Sequence, residues 1–474
     1  MIGITSIGAY IPMYRLRREE IARMWRTKGT GGEKAVAGYD EDSITMAVAA
    51  ARECMRRVTF DTEGLYFAST TAPYQEKQSA AIIASVLGLD RKSATADFSN
   101  SLRSATAAMK SALDAVKGGV VKQVMVAASD CRMGMPKSQF EQLFGDAAAA
   151  ATIGSDGVIA EIEACHSLYS DFTDVWRTVS DHYVKSGEGR FIADEGYYPI
   201  MQEAVSEIMK MQSLKTDDFI KIVFSASDAR QHAGLAGKLG FDTSQIQRPF
   251  FSEIGHMGAA GTLVMLAAAL EEARPGDRIL LVNYGDGVDA FILKVTEAIN
   301  GFQFKPDIEG QIKKGRSIDY GTYLYWRGLM PLDTVSLPPR DPISLATRWR
   351  ERKIISTLTG VKCRNCGTPQ IHIIGQKIRI CVQCQAKDNF DEYRFSDKKA
   401  TLFTYAIDNL QPTKNPPGVN GAVDFEGGGR LLCELTDYDL DKVKIGMPVE
   451  MTFRKLTEGD EVINYFWKAK PVEE

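Results

Sequence analysis

Residues 100–128 read NSLRSATAAMKSALDAVKGGVVKQVMVAA, and this stretch decides the fold class. From Ser104 to Val116 small and apolar residues, rich in alanine, recur with helical spacing, which predicts a helix packed closely into an interior. Val121 to Ala128 is a continuous apolar run, the pattern of a strand covered on both faces. The same alternation extends outward. Leu65 to Ser69 reads as a short strand, Ser79 to Leu87 as a helix, and Asp146 to Ile153 as a run of small residues suited to close packing. A second half repeats the theme with a strand at Ile220 to Phe224, a helix at Gly258 to Ala273 and a strand at Arg278 to Tyr284, the last introduced by the turn Pro275-Gly276-Asp277. Buried strands separated by helices imply an α/β body over residues 1–297, in two halves of about 1–165 and 166–297.

The pattern changes afterwards. Residues 298–340, mixed and rich in Gly, Lys, Tyr and Pro, read as a linker that docks on the body. Residues 341–397 read as a helix plus a cysteine-bearing segment. The helix is expected over Asp341 to Lys353, with Asp341 as N-cap and Pro342 at its first position. From 398 to 474 short strands follow one another: Thr401 to Ile407, Gly429 to Leu435, Val449 to Lys455 and Tyr465 to Lys468. Turns such as Asn415-Pro416-Pro417-Gly418 separate them, which suggests a small β-barrel.

The chain has 474 residues, too many for one ordinary core, so several domains are expected. A net charge of −4 gives no basic footprint for nucleic acid or anionic membrane. No apolar run approaches the roughly 18–20 residues of a membrane helix. Met1-Ile2-Gly3-Ile4-Thr5 lacks the basic start and apolar core of a signal peptide, and a cytoplasmic protein is expected. Eight cysteines in so long a chain are no disulfide framework, and four fall in two close pairs.

Those pairs are Cys363-x-x-Cys366 and Cys381-x-x-Cys384, with 14 residues between them. Four thiolates at this spacing close a tetrahedron around zinc, and a closed site of this kind is structural. Ile371-His372-Ile373-Ile374 and Lys377-Ile378-Arg379-Ile380 read as the two strands of a ribbon, with His372 on its surface rather than among the ligands. A short helix, a zinc ribbon and a small barrel in this order resemble the acyl-CoA-associated zinc-ribbon/OB-fold family. Ala346-Thr347-Arg348-Trp349-Arg350, the four cysteines and Lys444-Ile445-Gly446-Met447-Pro448-Val449 carry the resemblance. Members of that family accompany thiolase-like enzymes as partner subunits or fused. OB barrels also bind nucleic acid, but the acidic balance and the N-terminal body argue against it here.

Residues Asn100 to Ala108 resemble the nucleophile segment of the 3-hydroxy-3-methylglutaryl-CoA synthases, which reads Asn-Ala-Cys-Tyr-Gly-Gly-Thr-Ala-Ala. Asp174-Val175-Trp176-Arg177, Gly189-Arg190-Phe191, Ala236-Gly237-Lys238-Leu239-Gly240-Phe241 and Ala273-Arg274-Pro275-Gly276-Asp277-Arg278-Ile279-Leu280 extend the match, as does the loop Tyr284-Gly285-Asp286-Gly287. The resemblance spans residues 1–297 and is nearest to the archaeal and bacterial branch. It implies a five-layered αβαβα thiolase-like fold, a coenzyme A thioester as substrate and a homodimer.

Carried over residue by residue, three positions change. The nucleophile falls on Leu102, the histidine of the family's Phe-His-x-Pro motif on Ser225, and the glutamate base of its Ser-Glu-Ser motif on Thr70. An acyl-enzyme route needs a thiolate with a basic partner, and these three side chains supply neither. His256 falls where the family has the asparagine that holds the substrate carbonyl. An imidazole there would donate to a carbonyl or enolate oxygen, with a satisfied structural histidine as the alternative. Tyr284 and Gly287 fall at the glycine loop, where a backbone N–H can face the thioester oxygen. Asp228 and His232 offer an acid/base pair. Arg230 falls on a family lysine and either binds a CoA phosphate or is simply solvated. Tyr197 is expected to line the pocket, and Asn100 and Arg103, flanking Leu102, complete the expected CoA-binding set. Cys131 reads as a packed cysteine rather than a nucleophile.

Two functions follow. One is an acyl-CoA enzyme of aldol or retro-aldol type, which needs an enolate-stabilising pocket and an acid/base group but no covalent nucleophile. The other is a catalytically silent subunit that pairs with an active thiolase-like chain and shapes its CoA site. An authentic hydroxymethylglutaryl-CoA synthase would require the nucleophile to lie elsewhere than Leu102.

Overall fold

The computed structural model describes residues 1–56, 62–304, 307–331, 343–372, 374–457 and 462–472. They form two compact units: one of residues 1–37, 42–84 and 89–323, the other of residues 38–41, 85–88 and 324–474.

The first unit is built on a nine-stranded sheet of β1 (Gly3–Tyr10), β2 (Gly64–Ala68), β3 (Ala94–Phe98), β4 (Gln123–Asp130), β5 (Ala147–Gly154), β6 (Ala160–Tyr169), β7 (Lys221–Phe224), β8 (Arg278–Tyr284) and β9 (Gly287–Val295). Their order across the sheet is β7-β8-β9-β6-β1-β5-β4-β2-β3. The order contains a repeat. In the first half the opening strand β1 lies beside the closing strand β5, which runs antiparallel to it, and β5 is followed by β4 and β2. In the second half β6 lies beside antiparallel β9, followed by β8 and parallel β7. Where the first half adds β3 next to β2, the second half has only a one-residue bridge, Ile246 against Ile222. Antiparallel pairing of Gly3 with Glu161 and Ile4 with Ala160 joins the halves. This duplicated mixed topology is that of the thiolase fold.

The helices follow from the same pattern. Among them are α1 (Ser43–Met55), α2 (Ser79–Leu87), α3 (Ser104–Lys117), α4 (Tyr198–Met211), α5 (Ala229–Leu239) and α6 (Gly261–Glu272). In α6 every residue from Gly261 to Leu270 is buried, the signature of a helix enclosed on all sides. It shares one core with the small-residue face of α3 and with Ala147, Ala149 and Ala151 of β5. The run of small residues at 146–153 is thus a strand, and alanine there lets helices pack close to the sheet. Described residues 298–304 and 307–323, expected as linker, carry a 3₁₀ turn, helices at Ile308–Lys313 and Tyr320–Trp326 and a short strand, and up to Tyr323 they belong to the first unit.

In the second unit the expected single helix is two short ones, α7 (Leu345–Arg350) and α8 (Arg352–Thr357). The N-cap of α7 is Ser344, whose hydroxyl accepts from Thr347 N at 3.3 Å. Asp341 and Pro342, expected at that start, lie outside the described residues. The ribbon strands also differ from expectation. They are β10 (Thr359–Cys363), β11 (Pro369–Gln370) and β12 (Phe390–Arg394), with β10 between the other two. Neither 371–374, in which Ile373 lies outside the described residues, nor 377–380 forms a strand. The barrel has five strands, β13 (Ala400–Asp408), β14 (Gly418–Phe425), β15 (Arg430–Glu434), β16 (Pro448–Thr457) and β17 (Asn464–Pro471), in the order β15-β14-β13-β16-β17. A parallel bridge from Leu435 to Ala469 brings the two edges together. Sequence reading misses β14 because Gly418, Asn420 and Gly421 look like turn residues. A Cβ at Gly421 would lie 2.7 Å from both Leu402 and Leu435, so the glycine is required by packing inside the barrel.

Among the described residues no helix is long and apolar enough to cross a membrane.

Candidate active site and metal centre

A cavity of about 1120 Å³ opens in the first unit at the ends of β7 and β8 and the start of α3. Leu102, Ser225, His256, Asn283 and Tyr284 line it, so four residues singled out in the sequence, Leu102, Ser225, His256 and Tyr284, meet in one cavity. Asp228 and Arg230 lie along the same wall. No cysteine lines it among the described residues.

Leu102 is held by backbone. Asn100 takes a left-handed φ of 71°, a conformation asparagine tolerates, and turns the chain into α3. The Ser101 hydroxyl donates to Gly285 O at 3.0 Å, and Asn283 Nδ2 reaches Leu102 O at 3.4 Å. Gly285 is pressed against this turn: a Cβ there would lie 2.8 Å from Arg103 N and 3.0 Å from Leu102 N.

His256 is deeply placed, and burial, aided by the positive charge of Arg132, lowers its pKa to about 3. It is therefore a neutral imidazole at physiological pH. Its Nδ1 accepts from Gly258 N at 3.1 Å, which puts the proton on Nε2, a donor available to the cavity. This is the arrangement an oxyanion donor requires.

The second polar pair is Asp174 with Tyr284. Burial raises the Asp174 carboxyl above its usual range, while the Val175 N–H and the Tyr284 hydroxyl, which both donate to it, oppose the shift. Burial and the neighbouring Asp174 likewise raise Tyr284, which stays protonated. The Tyr284 N–H donates to Ser225 Oγ at 2.8 Å, and the Tyr197 hydroxyl donates to Ser225 O at 2.6 Å. Asp174 and Arg132 both line the cavity, and sequence reading assigned neither a role. Asp174 lies in the matched stretch Asp174-Val175-Trp176-Arg177, but none of the chemistry carried over falls on it, and a lone arginine carries no spacing signal. Only the fold brings them into one cavity with His256.

Other expected residues fall elsewhere. His232 stacks on Phe224 at 4.1 Å between ring centres and is 6% exposed; burial lowers its pKa to about 4. The Asp228 carboxylate caps α5 by accepting from Gln231 N at 2.8 Å, so it does not pair with His232. Tyr197 is fully buried behind Ser225 and Tyr284, and Tyr198 lines the cavity in its place. Asn100 and Arg103 do not line it: Arg103 Nη1 pairs with Asp289 at 2.9 Å, and Thr106 donates to the other oxygen of that carboxylate at 2.8 Å. Gly287 pairs with Tyr169 of β6, and a Cβ there would lie 2.1 Å from Leu168 O, so the close strand pairing explains the glycine. Thr70 also stays outside, donating with Ser69 and Thr71 to the fully buried carboxylate of Asp130. Cys131 does not line the cavity either.

The four cysteines of the second unit come together, their sulfurs all within 4.8 Å of one another. Cys363 and Cys384 are 3.6 Å apart, as are Cys366 and Cys381. Sulfurs about 2.3 Å from one zinc ion lie roughly 3.8 Å apart in a tetrahedron, so the cluster fits that ion. The backbone supports the fit by repeating one turn twice. Cys363 O accepts from Gly367 N at 2.9 Å and Cys381 O from Gln385 N at 3.0 Å, and Gly367 and Gln385 both have positive φ. His372 stays outside the cluster, 3.7 Å from Glu351.

The chain is similar to known proteins along most of its length. It is 35% identical over 340 residues to the hydroxymethylglutaryl-CoA synthase of Archaeoglobus fulgidus, covering 69% of this chain and 98% of that protein. It is 34% identical over 332 residues to the enzyme of the same name from Pyrococcus horikoshii, covering 68% of this chain and 95% of that protein. Residues 209–295 match the family of the 3-oxoacyl-[acyl-carrier-protein] synthase III C terminus, and residues 393–454 match the family of the ChsH2 C-terminal OB-fold domain. Among solved structures, a synthase described as HMG-CoA synthase complexed with CoA superposes with a TM-score of 0.63 at 19% identity, over 72% of this chain and 95% of that one. A 3-oxoacyl-(acyl carrier protein) synthase III from Pseudomonas aeruginosa superposes with a TM-score of 0.57 at 18% identity, over 62% of this chain and 98% of that one.

Proposed function

The chain belongs to the hydroxymethylglutaryl-CoA synthase family of the thiolase superfamily, and from that premise we propose that it acts on acyl-CoA thioesters by aldol or retro-aldol chemistry without a covalent acyl-enzyme. The observation that carries this reading is the cavity wall. An inert Leu102 shares the cavity with the neutral imidazole of His256 and the Asp174–Tyr284 pair, with no thiol among the lining residues described. Relatives solved with CoA and with 3-hydroxy-3-methylglutaryl-CoA support the thioester as ligand. Arg230, exposed on the cavity wall, suits a CoA phosphate.

In the cleavage direction the Asp174 carboxylate takes the proton of a 3-hydroxyl. The C2–C3 bond breaks, C3 leaves as a ketone or aldehyde, and the electron pair remains as the enolate of the thioester. His256 Nε2–H donates to the enolate oxygen, and Asp174 returns the proton to C2. Loss of one such donor lowers kcat by roughly 10²–10³. The test is cleavage of 3-hydroxyacyl-CoAs by the purified full chain. Activity that falls by that factor in His256→Ala supports the reading. A covalent acyl adduct after incubation with acetyl-CoA would sink it in favour of an authentic synthase. Activity that appears only with a cysteine-bearing thiolase-like partner would instead assign this chain a silent, shaping role.

The four cysteines are proposed to bind one structural zinc, which cross-links the two turns and leaves no position for substrate. Metal analysis of the purified chain should find one zinc per chain, lost in Cys366→Ser. The family reading also includes a homodimer, and light scattering would test its mass.

A further inference from the structure

Arg132 is 7% exposed and lines the cavity, yet its guanidinium makes no hydrogen bond or ion pair with the described residues. The guanidinium lies over the face of Phe144, 4.3 Å from the ring centre. Two acids and one further cation, Arg177, lie within electrostatic reach, and both acids are engaged elsewhere. Asp130 accepts from Ser69, Thr70, Thr71 and Ala259 N. Asp174 accepts from Val175 N and Tyr284. A buried cation is normally paired, because its desolvation is otherwise uncompensated. Phe144 also lies edge-on to His256 with ring centres 6.0 Å apart, so the unpaired guanidinium sits at the reactive end of the cavity. The exposed Arg190 and Arg230 lie elsewhere on its wall.

We infer that Arg132 receives a carboxylate on the acyl portion of the substrate, so that the cavity selects acyl-CoAs with an acidic acyl chain over neutral ones. This deepens the acyl-CoA reading and rests on it. With the carboxylate on Arg132, His256 and the Asp174–Tyr284 pair remain free for the thioester oxygen and the 3-hydroxyl. The planar fork of arginine matches a carboxylate through two parallel hydrogen bonds.

The experiment compares glutaryl-CoA with pentanoyl-CoA, which differ by a carboxylate in place of a methyl and share every CoA contact. Dissociation constants are measured by calorimetry on the full chain at fixed ionic strength. Wild type is expected to prefer glutaryl-CoA by roughly 10- to 100-fold, the worth of a charged hydrogen bond. Arg132→Gln should abolish the preference while binding pentanoyl-CoA as before. Arg132→Lys, which keeps the charge without the fork, should retain part of it and serves if the glutamine variant does not fold. Equal affinities in wild type would overturn the inference and leave the CoA reading intact. Equal weakening of both ligands in Arg132→Gln would overturn it too, by assigning the arginine to CoA itself, and so would a preference that survives the substitution. Failure of either thioester to bind would overturn the CoA reading and this inference with it.

Discussion

The proposed chemistry turns on two residues whose pKa values the fold shifts in opposite directions, each toward its neutral form. His256 is kept neutral with its proton on Nε2, so it contributes a constant donor across the physiological range. Asp174 is the titrating group. Burial holds its pKa above the ordinary value of about 3.9. As the base it must be ionised, so kcat/KM should fall as pH drops through the raised value, and Asp174→Asn should remove that acid limb with a loss of roughly 10²-fold or more. Stability responds with the opposite sign. A carboxyl whose folded pKa is raised favours the fold below its unfolded value, and that contribution is lost as pH rises through the folded value. Asp174→Asn should therefore melt at or above wild type at pH 7, with the advantage closing near pH 4. A variant that melts lower at pH 7 would show that the carboxylate is structural. The sequence made Leu102, Ser225 and His256 legible because each sits in a motif with neighbours. Asp174, although it lies in the matched stretch Asp174-Val175-Trp176-Arg177, and Arg132 were not legible as site residues, because their place in the cavity depends on segments that meet only in space.

The helix α3 shows how a residue expected to bind substrate is instead part of the frame. Arg103 starts the helix and pairs with Asp289 of β9, whose carboxylate is 3% exposed and also accepts from Thr106. The pair fixes the helix start that carries Leu102 into the cavity. Removing the guanidinium leaves a buried carboxylate with one hydroxyl donor, and losing one partner of such a pair costs about 3 kcal/mol or more. Arg103→Met should thus lower the unfolding free energy by that amount in denaturant titration, while a CoA-binding role would show as weaker thioester affinity with stability unchanged. Elements were legible where periodicity was strong. Ser79–Leu87 and Arg278–Tyr284 emerge with the expected bounds, because one is an uninterrupted apolar helix and the other a doubly covered strand. The ribbon strands were misplaced because the apolar pairs near 371–380 suggested extended chain, whereas the two cysteine turns fix that region locally. The strand β14 was lost to its glycines.

At the scale of the whole chain, the duplication of the first unit was visible in the sequence as a repeated alternation of strands and helices. The composition of the second unit was not, since residues 38–41 come from the opposite end of the sequence. Asp40 and Glu41 in that segment are 2% and 4% exposed. Arg454, 1% exposed, pairs with Glu41 and Asp437, and Lys468, 2% exposed, pairs with Asp40 at 2.8 Å and Glu434 at 3.0 Å. Burial opposes the charge on Asp40, but Lys468 and Arg454 more than offset it and hold its pKa below the usual range. No local pattern announces such pairing, because a run such as Tyr39-Asp40-Glu41-Asp42 reads as a solvated turn. The consequence concerns dissection of the chain. A fragment of residues 324–474 retains the cations but loses two of their buried acids, and each uncompensated buried charge costs roughly 3–5 kcal/mol, comparable to the whole stability of a small domain. The fragment should be unfolded or insoluble by far-UV circular dichroism and sedimentation even with zinc supplied. A soluble fragment with a cooperative thermal transition at physiological temperature or above would show that metal and barrel packing suffice without Asp40 and Glu41.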